Sequence, residues 1–249
     1  DRMKFKRIVL LFAGILVTLA GYAQLDSVGV HLQKIKASPD DSLRVVYADE
    51  IPLLLKNTVF GEYPEKPEVR FLGYKLCVNR KVELFCWIIP LLKGQMYYNW
   101  FRFKEGNRVY FLKSFSATRG KEPNWLYYDI VGFKHGDKDY FIFLGWNTTR
   151  NTNQKIVRVG SFEADGSICF QHPFLRRGNS RSSFLEFEYA VEGSMMLKQD
   201  KKGKRIIFDH LAPKEKKYEG YFMFYGPDAS YDALVLKEGE WWYEEDVKQ

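Results

Sequence analysis

The residues of this chain best suited to chemistry lie near its C-terminus: Asp209, His210, Asp228 and Asp232. A carboxylate beside an imidazole can tune a general base, and two carboxyls at a fixed separation are the working groups of glycosidases. Asp209 and His210 are adjacent within the apolar run RIIFDHL. Neighbours on a strand project to opposite faces, so the pair reads as a strand end whose side chains cap the turn at Ala212–Pro213. Asp228 and Asp232 bracket Ser230 in GPDASYD, where clustered acidic oxygens could hold Ca²⁺. Calcium takes six to eight oxygens and the segment is no EF-hand loop. Turn Asp and Ser bonding to their own backbone is the expectation there. These four remain candidates, and the sequence assigns no catalytic residue, metal or cofactor.

Other polar groups are weaker. Gly193–Ser194 lacks the GxSxG pattern and the following helix of a nucleophile elbow. His31, His135 and His172 stand apart without ligand spacing and read as surface or capping residues. The cysteines are Cys77, Cys86 and Cys169, an odd number, so a fully paired disulfide framework is excluded. Cys77 and Cys86 flank a turn at Val78–Lys81 and could pair across it, although buried thiols are the favoured reading. No CxxC or Cys/His cluster announces a zinc site.

The aromatic residues offer a different chemistry. Phe, Tyr and Trp make up 17% of the chain. In GEWWYEED, Trp241 and Tyr243 share one face of a strand and Trp242 takes the other. One face could be core and the other a platform for a sugar ring or a partner, since aromatics with one wet end suit interfaces. Trp241, Tyr243, Trp125 and Trp146 are the candidate ligand-binding residues. The competing reading is a double-sided core. Asn147–Thr148–Thr149 forms a glycosylation sequon that reads as incidental.

The elements that must position these residues are mainly strands. From Val69 onward, short aromatic and aliphatic runs alternate with tight polar turns at Lys104–Asn107, His135–Lys138, Ala164–Ser167, Asp200–Lys204 and Lys237–Glu240. Glycine supplies the positive φ that hairpin turns require. Twelve to fourteen strands in consecutive antiparallel hairpins are predicted, as a meander, sandwich or partial propeller, with short N-terminal helices packed on one face or edge. The run YFIFLGW (140–146) is apolar at nearly every position, which implies burial on both faces. Before the strands, residues 26–58 read as helical, with a start at Ser38-Pro39-Asp40-Asp41 and Pro52 as an internal kink or end. A short helix precedes it over Val28–Lys36.

The N-terminus reads as an export signal. Lys4, Lys6 and Arg7 precede thirteen residues, Ile8–Ala20, that are apolar apart from Gly14 and Thr18. Gly21 and Ala23 then sit at the −3 and −1 positions of a cleavage site. That core is shorter than the roughly 20 residues of a spanning helix, so no membrane span is expected after cleavage. The expected organisation is 1–23 signal peptide, 24–62 helical segment and 63–249 β-rich domain. Of the net charge of +7, the leader carries about half. The remaining charges are scattered through turns, without the basic stripe that nucleic-acid binding requires.

From Val69 on, the pieces NWLYYDIVGFKHGDKDYFIFLGWN (124–147), EYAVEGSMMLK (188–198), IIFDHLAP (206–213), YGPDASYDAL (225–234) and GEWWYEEDV (239–247) stand in an order that resembles a family of uncharacterised exported proteins of Gram-negative bacteria. The resemblance implies export to the periplasm or beyond and a mostly β fold. It brings no activity and no catalytic residue. LGWNTTRNTNQKIV departs from the family pattern, which carries acidic residues soon after LGW, so cation binding at that loop is not implied. The function expected is a non-enzymatic binding or cell-envelope protein with a glycan or protein ligand. The alternative is a hydrolase of envelope or dietary polymers using the Asp/His group.

Overall fold

The computed structural model describes residues 27–56, 58–63, 72–77, 79–105, 108–115, 125–163, 167–200 and 203–248. The export signal lies outside them. No helix among the described residues is long and apolar enough to cross a membrane.

The chain opens with helix α1 (27–37) and helix α2 (Asp41–Leu55). The cap of α2 differs from the predicted Ser38/Pro39 start: Asp40 is the N-cap, and its carboxylate accepts from the amides of Ser42 (2.6 Å) and Leu43 (3.3 Å). An ionised oxygen satisfies the helix's orphan N–H groups and favours the positive end of its dipole. Ser38 instead bonds the Asp40 backbone. Pro52 stays inside the helix in its last turn, where its carbonyl still accepts from the Lys56 amide.

Fifteen strands follow among the described residues, all of them sorted into three sheets except for one short β8 branch. The first sheet is a meander of β1 (Gly73–Leu76), β2 (Val82–Leu91), β3 (Gly94–Glu105) and β4 (Arg108–Phe115). The second has β5 (Leu126–His135), β6 (Lys138–Thr148), β7 (Thr152–Phe162) and β11 (Phe184–Ala190), ordered β11-β7-β6-β5, with β8 (Ile168–Cys169) paired to the end of β7. The third orders β10 (Ser180–Ser182), β9 (Leu175–Arg177), β15 (Glu240–Glu244), β14 (Tyr225–Lys237), β13 (Arg205–Pro213) and β12 (Leu197–Gln199). The connectivity departs from a single meander at two places: β11 crosses back to pair β7, and β15 pairs β9 in parallel.

These pieces stack as four layers. Val28, Leu32, Ile35, Ala48, Ile51 and Leu55 of the helices bury against Phe85, Trp87, Tyr98 and Trp100 of the first sheet. The other face of that sheet, with Val82, Leu84 and Phe101, packs on Trp125, Tyr127, Phe141, Phe143 and Ile156 of the second. The opposite face of the second sheet, with Val131, Ile142, Leu144, Val157 and Val159, packs on Leu197, Ile206, Phe208, Leu234 and Trp241 of the third. The middle sheet is therefore covered on both sides. That is why β6 reads as a continuous apolar run, with Phe141 and Phe143 facing one layer and Ile142 and Leu144 the other. The doubly buried strand predicted from YFIFLGW is observed.

Polar groups also bridge the layers, among them the Lys75–Asp129 ion pair at 3.1 Å and the Asn99 amide donating to the Trp125 carbonyl at 2.8 Å. Arg102 and Glu83 form a fully buried ion pair, Nε to Oε2 at 2.6 Å. Glu83 also accepts from the Gly61 amide (2.7 Å) and the Tyr74 hydroxyl (2.9 Å), while Arg102 donates to the Thr58 carbonyl (2.7 Å). The pair thus fastens the segment after α2 to the first sheet. All three cysteines are free thiols, so Cys77 and Cys86 are not joined. Both are buried, and burial pushes the Cys86 thiol up to about 12.

Candidate functional site

Register places a row of side chains on one face of the middle sheet: Leu126 of β5 opposes Trp146 of β6, which opposes Lys155 of β7, which opposes Phe187 of β11. This is the face that carries Ile142 and Leu144 beneath the third sheet. Towards the end of β6 it is lined by the segment Gly193–Met195 instead. An open cleft of about 450 Å³ results, lined by Leu126, Tyr128, Trp146, Asn153, Lys155, Tyr189 and that segment.

Each lining residue has a local cause. A bulge between Tyr127 and Asp129 breaks the alternation of β5, so Tyr127 shares the core beneath the first sheet with Ile130, while Tyr128 packs on the other side with Val131. The Tyr128 hydroxyl donates to the Leu197 carbonyl at 3.0 Å. Gly145 has no room for a side chain: a Cβ there would lie 2.8 Å from Ile156 and 3.1 Å from Tyr127. The next residue, Trp146, turns to the cleft face and tilts against Tyr97 with ring centroids 5.8 Å apart.

Lys155 is the charged group of the cleft. Its ammonium donates to the Met195 carbonyl at 2.5 Å and lies 5.4 Å from the centre of the Tyr128 ring. Burial pulls its pKa below the ordinary lysine value, partly offset by the charge of Asp209. Asn153 donates to the Val191 carbonyl at 3.0 Å. Asp209 stands behind this wall, its carboxylate accepting from the Met196 amide at 2.6 Å.

The other sequence-predicted residues fall elsewhere. His210 sits at a bulge between Asp209 and Leu211, with Nδ1 2.8 Å from Oδ2 of Asp232. The Tyr243 hydroxyl donates to the same oxygen at 2.5 Å, and the Asp246 amide to Oδ1 at 3.2 Å. Asp232 is 1% exposed, a buried hub rather than a turn residue. Its hydrogen bond raises the pKa of His210, while burial and then Asp232 raise that of Tyr243. Asp228 accepts from the amide and hydroxyl of Ser230, as the turn reading expects. The four acidic and imidazole candidates thus divide among a wall brace, a buried hub and an exposed turn, and none lines the cleft.

The aromatic candidates divide as well. Trp241 is 0% exposed and Trp125 4% exposed. Both belong to inter-sheet cores and present no face to a ligand, because Trp241 packs between the second and third sheets and Trp125 between the first and second. Tyr243 packs on Phe208 and serves Asp232. Of the four, Trp146 alone lines the cleft.

The remaining histidines act as tethers. His31 bridges the Ser27 carbonyl and Glu50, and His135 contacts the Gly239 carbonyl while stacking on Phe174. His172 has a polar cluster of its own: its Nε2 is 2.8 Å from Ser161 Oγ, which also donates to Glu163 at 2.5 Å. Burial lowers the His172 pKa, and the Glu163 charge partly offsets this. Sequence reasoning missed this cluster and also Tyr128, Asn153, Lys155 and Tyr189 of the cleft. The spacing E-x₅-C-x₂-H around a predicted hairpin was the available signal for the first. Nothing short of the sheet register could bring together the second. Compared with protein-family models, curated proteins and solved structures, the chain matches none.

Proposed function

We propose that this chain is an exported, non-enzymatic binding protein that takes a glycan in the cleft beside Trp146. The observation that carries this reading is the composition of the cleft: the Trp146 and Tyr128 rings stand beside the Lys155 ammonium and the Asn153 amide in an open concavity of about 450 Å³. A sugar presents an apolar ring face and a rim of hydroxyls, which such a lining can match with an aromatic surface and a few placed polar groups. The dispersal of Asp209, His210, Asp228 and Asp232 supports binding over hydrolysis, because a glycosidase needs two carboxyls across one scissile bond. Export is supported by the basic n-region, the apolar run and the small residues before Gln24.

A glycan array probed with the mature chain tests the reading. Retention on a subset of glycans is expected, with Trp146→Ala weakening binding to the strongest of them by about 30-fold, the effect of losing a hot-spot aromatic. Trp242→Ala, outside the cleft, should leave it unchanged. No retention, or retention indifferent to Trp146→Ala, would refute it. Cell fractionation tests the export step: the processed product belongs outside the cytoplasm.

A further inference from the structure

Glu163, Cys169 and His172 each bring one ligand atom within 4.8 Å of the other two. The sheet register explains the convergence. Ser161 of β7 lies directly opposite Cys169 of β8. Glu163, two residues beyond Ser161, follows it on the same side of the chain, and its amide bonds the Ser167 carbonyl at 2.9 Å across the turn. His172 comes three residues after Cys169 and is held in place by ring contacts with Tyr140 (4.9 Å) and Phe174 (5.9 Å).

We propose that Glu163, Cys169 and His172 form a binding site for a zinc-class divalent transition metal. The donors are one sulfur, one nitrogen and one oxygen, a set that zinc accepts. A thiolate and a carboxylate together neutralise a dication, with the imidazole as neutral third ligand. Three protein ligands leave a fourth tetrahedral position for water or a ligand. Glu163 is exposed and Cys169 and His172 half-buried, so the metal has a path from solvent and the carboxylate has freedom to close on it.

Zinc ligand bonds of about 2.0–2.3 Å require the donors to stand about 3.5 Å apart. The cluster therefore contracts by about 1 Å on binding, within reach of one exposed side chain. Ser161, itself nearly buried, contacts both His172 and Glu163. With the metal on Nδ1 of His172 and the second carboxylate oxygen of Glu163, Ser161 stays bonded to the non-ligating atoms Nε2 and Oε1 and orients both ligands, as such partners commonly do in metal sites.

The test is titration of the purified chain with Co²⁺, then displacement by Zn²⁺. Co²⁺ should produce a near-ultraviolet thiolate charge-transfer band that Zn²⁺ abolishes. Cys169→Ser should remove the band, and Glu163→Gln and His172→Ala should weaken Zn²⁺ binding measured by calorimetry. Ser161→Ala should weaken it by about 10–100-fold. Absence of the band, its persistence in Cys169→Ser, or Zn²⁺ affinity unmoved by Glu163→Gln would overturn the proposal. Glu163→Gln lies at the surface, so it decides the matter even where the more buried variants lose their fold. Glycan binding at Trp146 is read separately and does not depend on this outcome.

Discussion

His210 and Asp232 meet across two strands of the third sheet, Nδ1 to Oδ2 at 2.8 Å, because a bulge between Asp209 and Leu211 removes His210 from the regular ladder. The carboxylate is buried while the imidazole reaches solvent. What sequence offered as a catalytic pair, Asp209–His210, is therefore a structural pair with a different acid.

This pairing makes stability depend on pH. The Asp232 hydrogen bond comes first in raising the His210 pKa above its ordinary 6.5; the charges of Asp232, Asp228 and Glu245 add to it, and burial opposes them. The Arg177 guanidinium lies 4.4 Å from the centre of the Tyr243 ring, on the same group. A raised folded-state pKa means that the stabilisation is complete below about pH 6.5 and is lost as pH rises through the folded value. Thermal unfolding from pH 5 to 9 (a range of roughly two units about the imidazole pKa) should show Tm falling across that window in the wild type. The fall should be smaller in His210→Gln. Parallel curves would contradict the assignment.

The Arg102–Glu83 pair gives a second prediction. Truncating one partner leaves the other charge buried without compensation, so Arg102→Met should cost about 3–5 kcal/mol in urea unfolding. Adding Glu83→Leu should recover part of the loss, since two apolar side chains bury no charge. A double variant no more stable than Arg102→Met would show that the bonds of Glu83 to Gly61 and Tyr74 outweigh the charge effect.

Trp241 separates core from site. It is fully buried against Phe133, ring centroids 5.8 Å apart and edge to face. Trp241→Ala should cost about 3–5 kcal/mol by leaving a cavity, whereas glycan affinity of the folded fraction should not change. Affinity that falls with Trp241→Ala at full folding would return this residue to the binding surface.

Much of the fold was legible because hairpin chemistry is local. Gly136 and Gly239, at φ 60° and 78°, sit in two of the turns predicted from glycine. Alternation failed to say which aromatics are exposed, because it separates the two faces of a strand but not an inner sheet from an outer one. Trp241 and Trp146 have the same chemical type and both lie on strands; only the stacking of three sheets buries the first and leaves the second at a cleft. Sites built from distant strands were illegible for the same reason. Lys155 reaches Trp146 through register and Asp232 reaches His210 through a bulge, and neither relation is written in spacing along the chain.

The most direct measurement is a nitrogen-15 NMR titration of the six tryptophan indoles with the tightest-binding glycan of the array. The indole of Trp146 should shift progressively with added glycan, while those of Trp125 and Trp241, buried between sheets, stay fixed. A titration that leaves Trp146 still, or moves the other indoles in its place, would contradict a glycan site in this cleft.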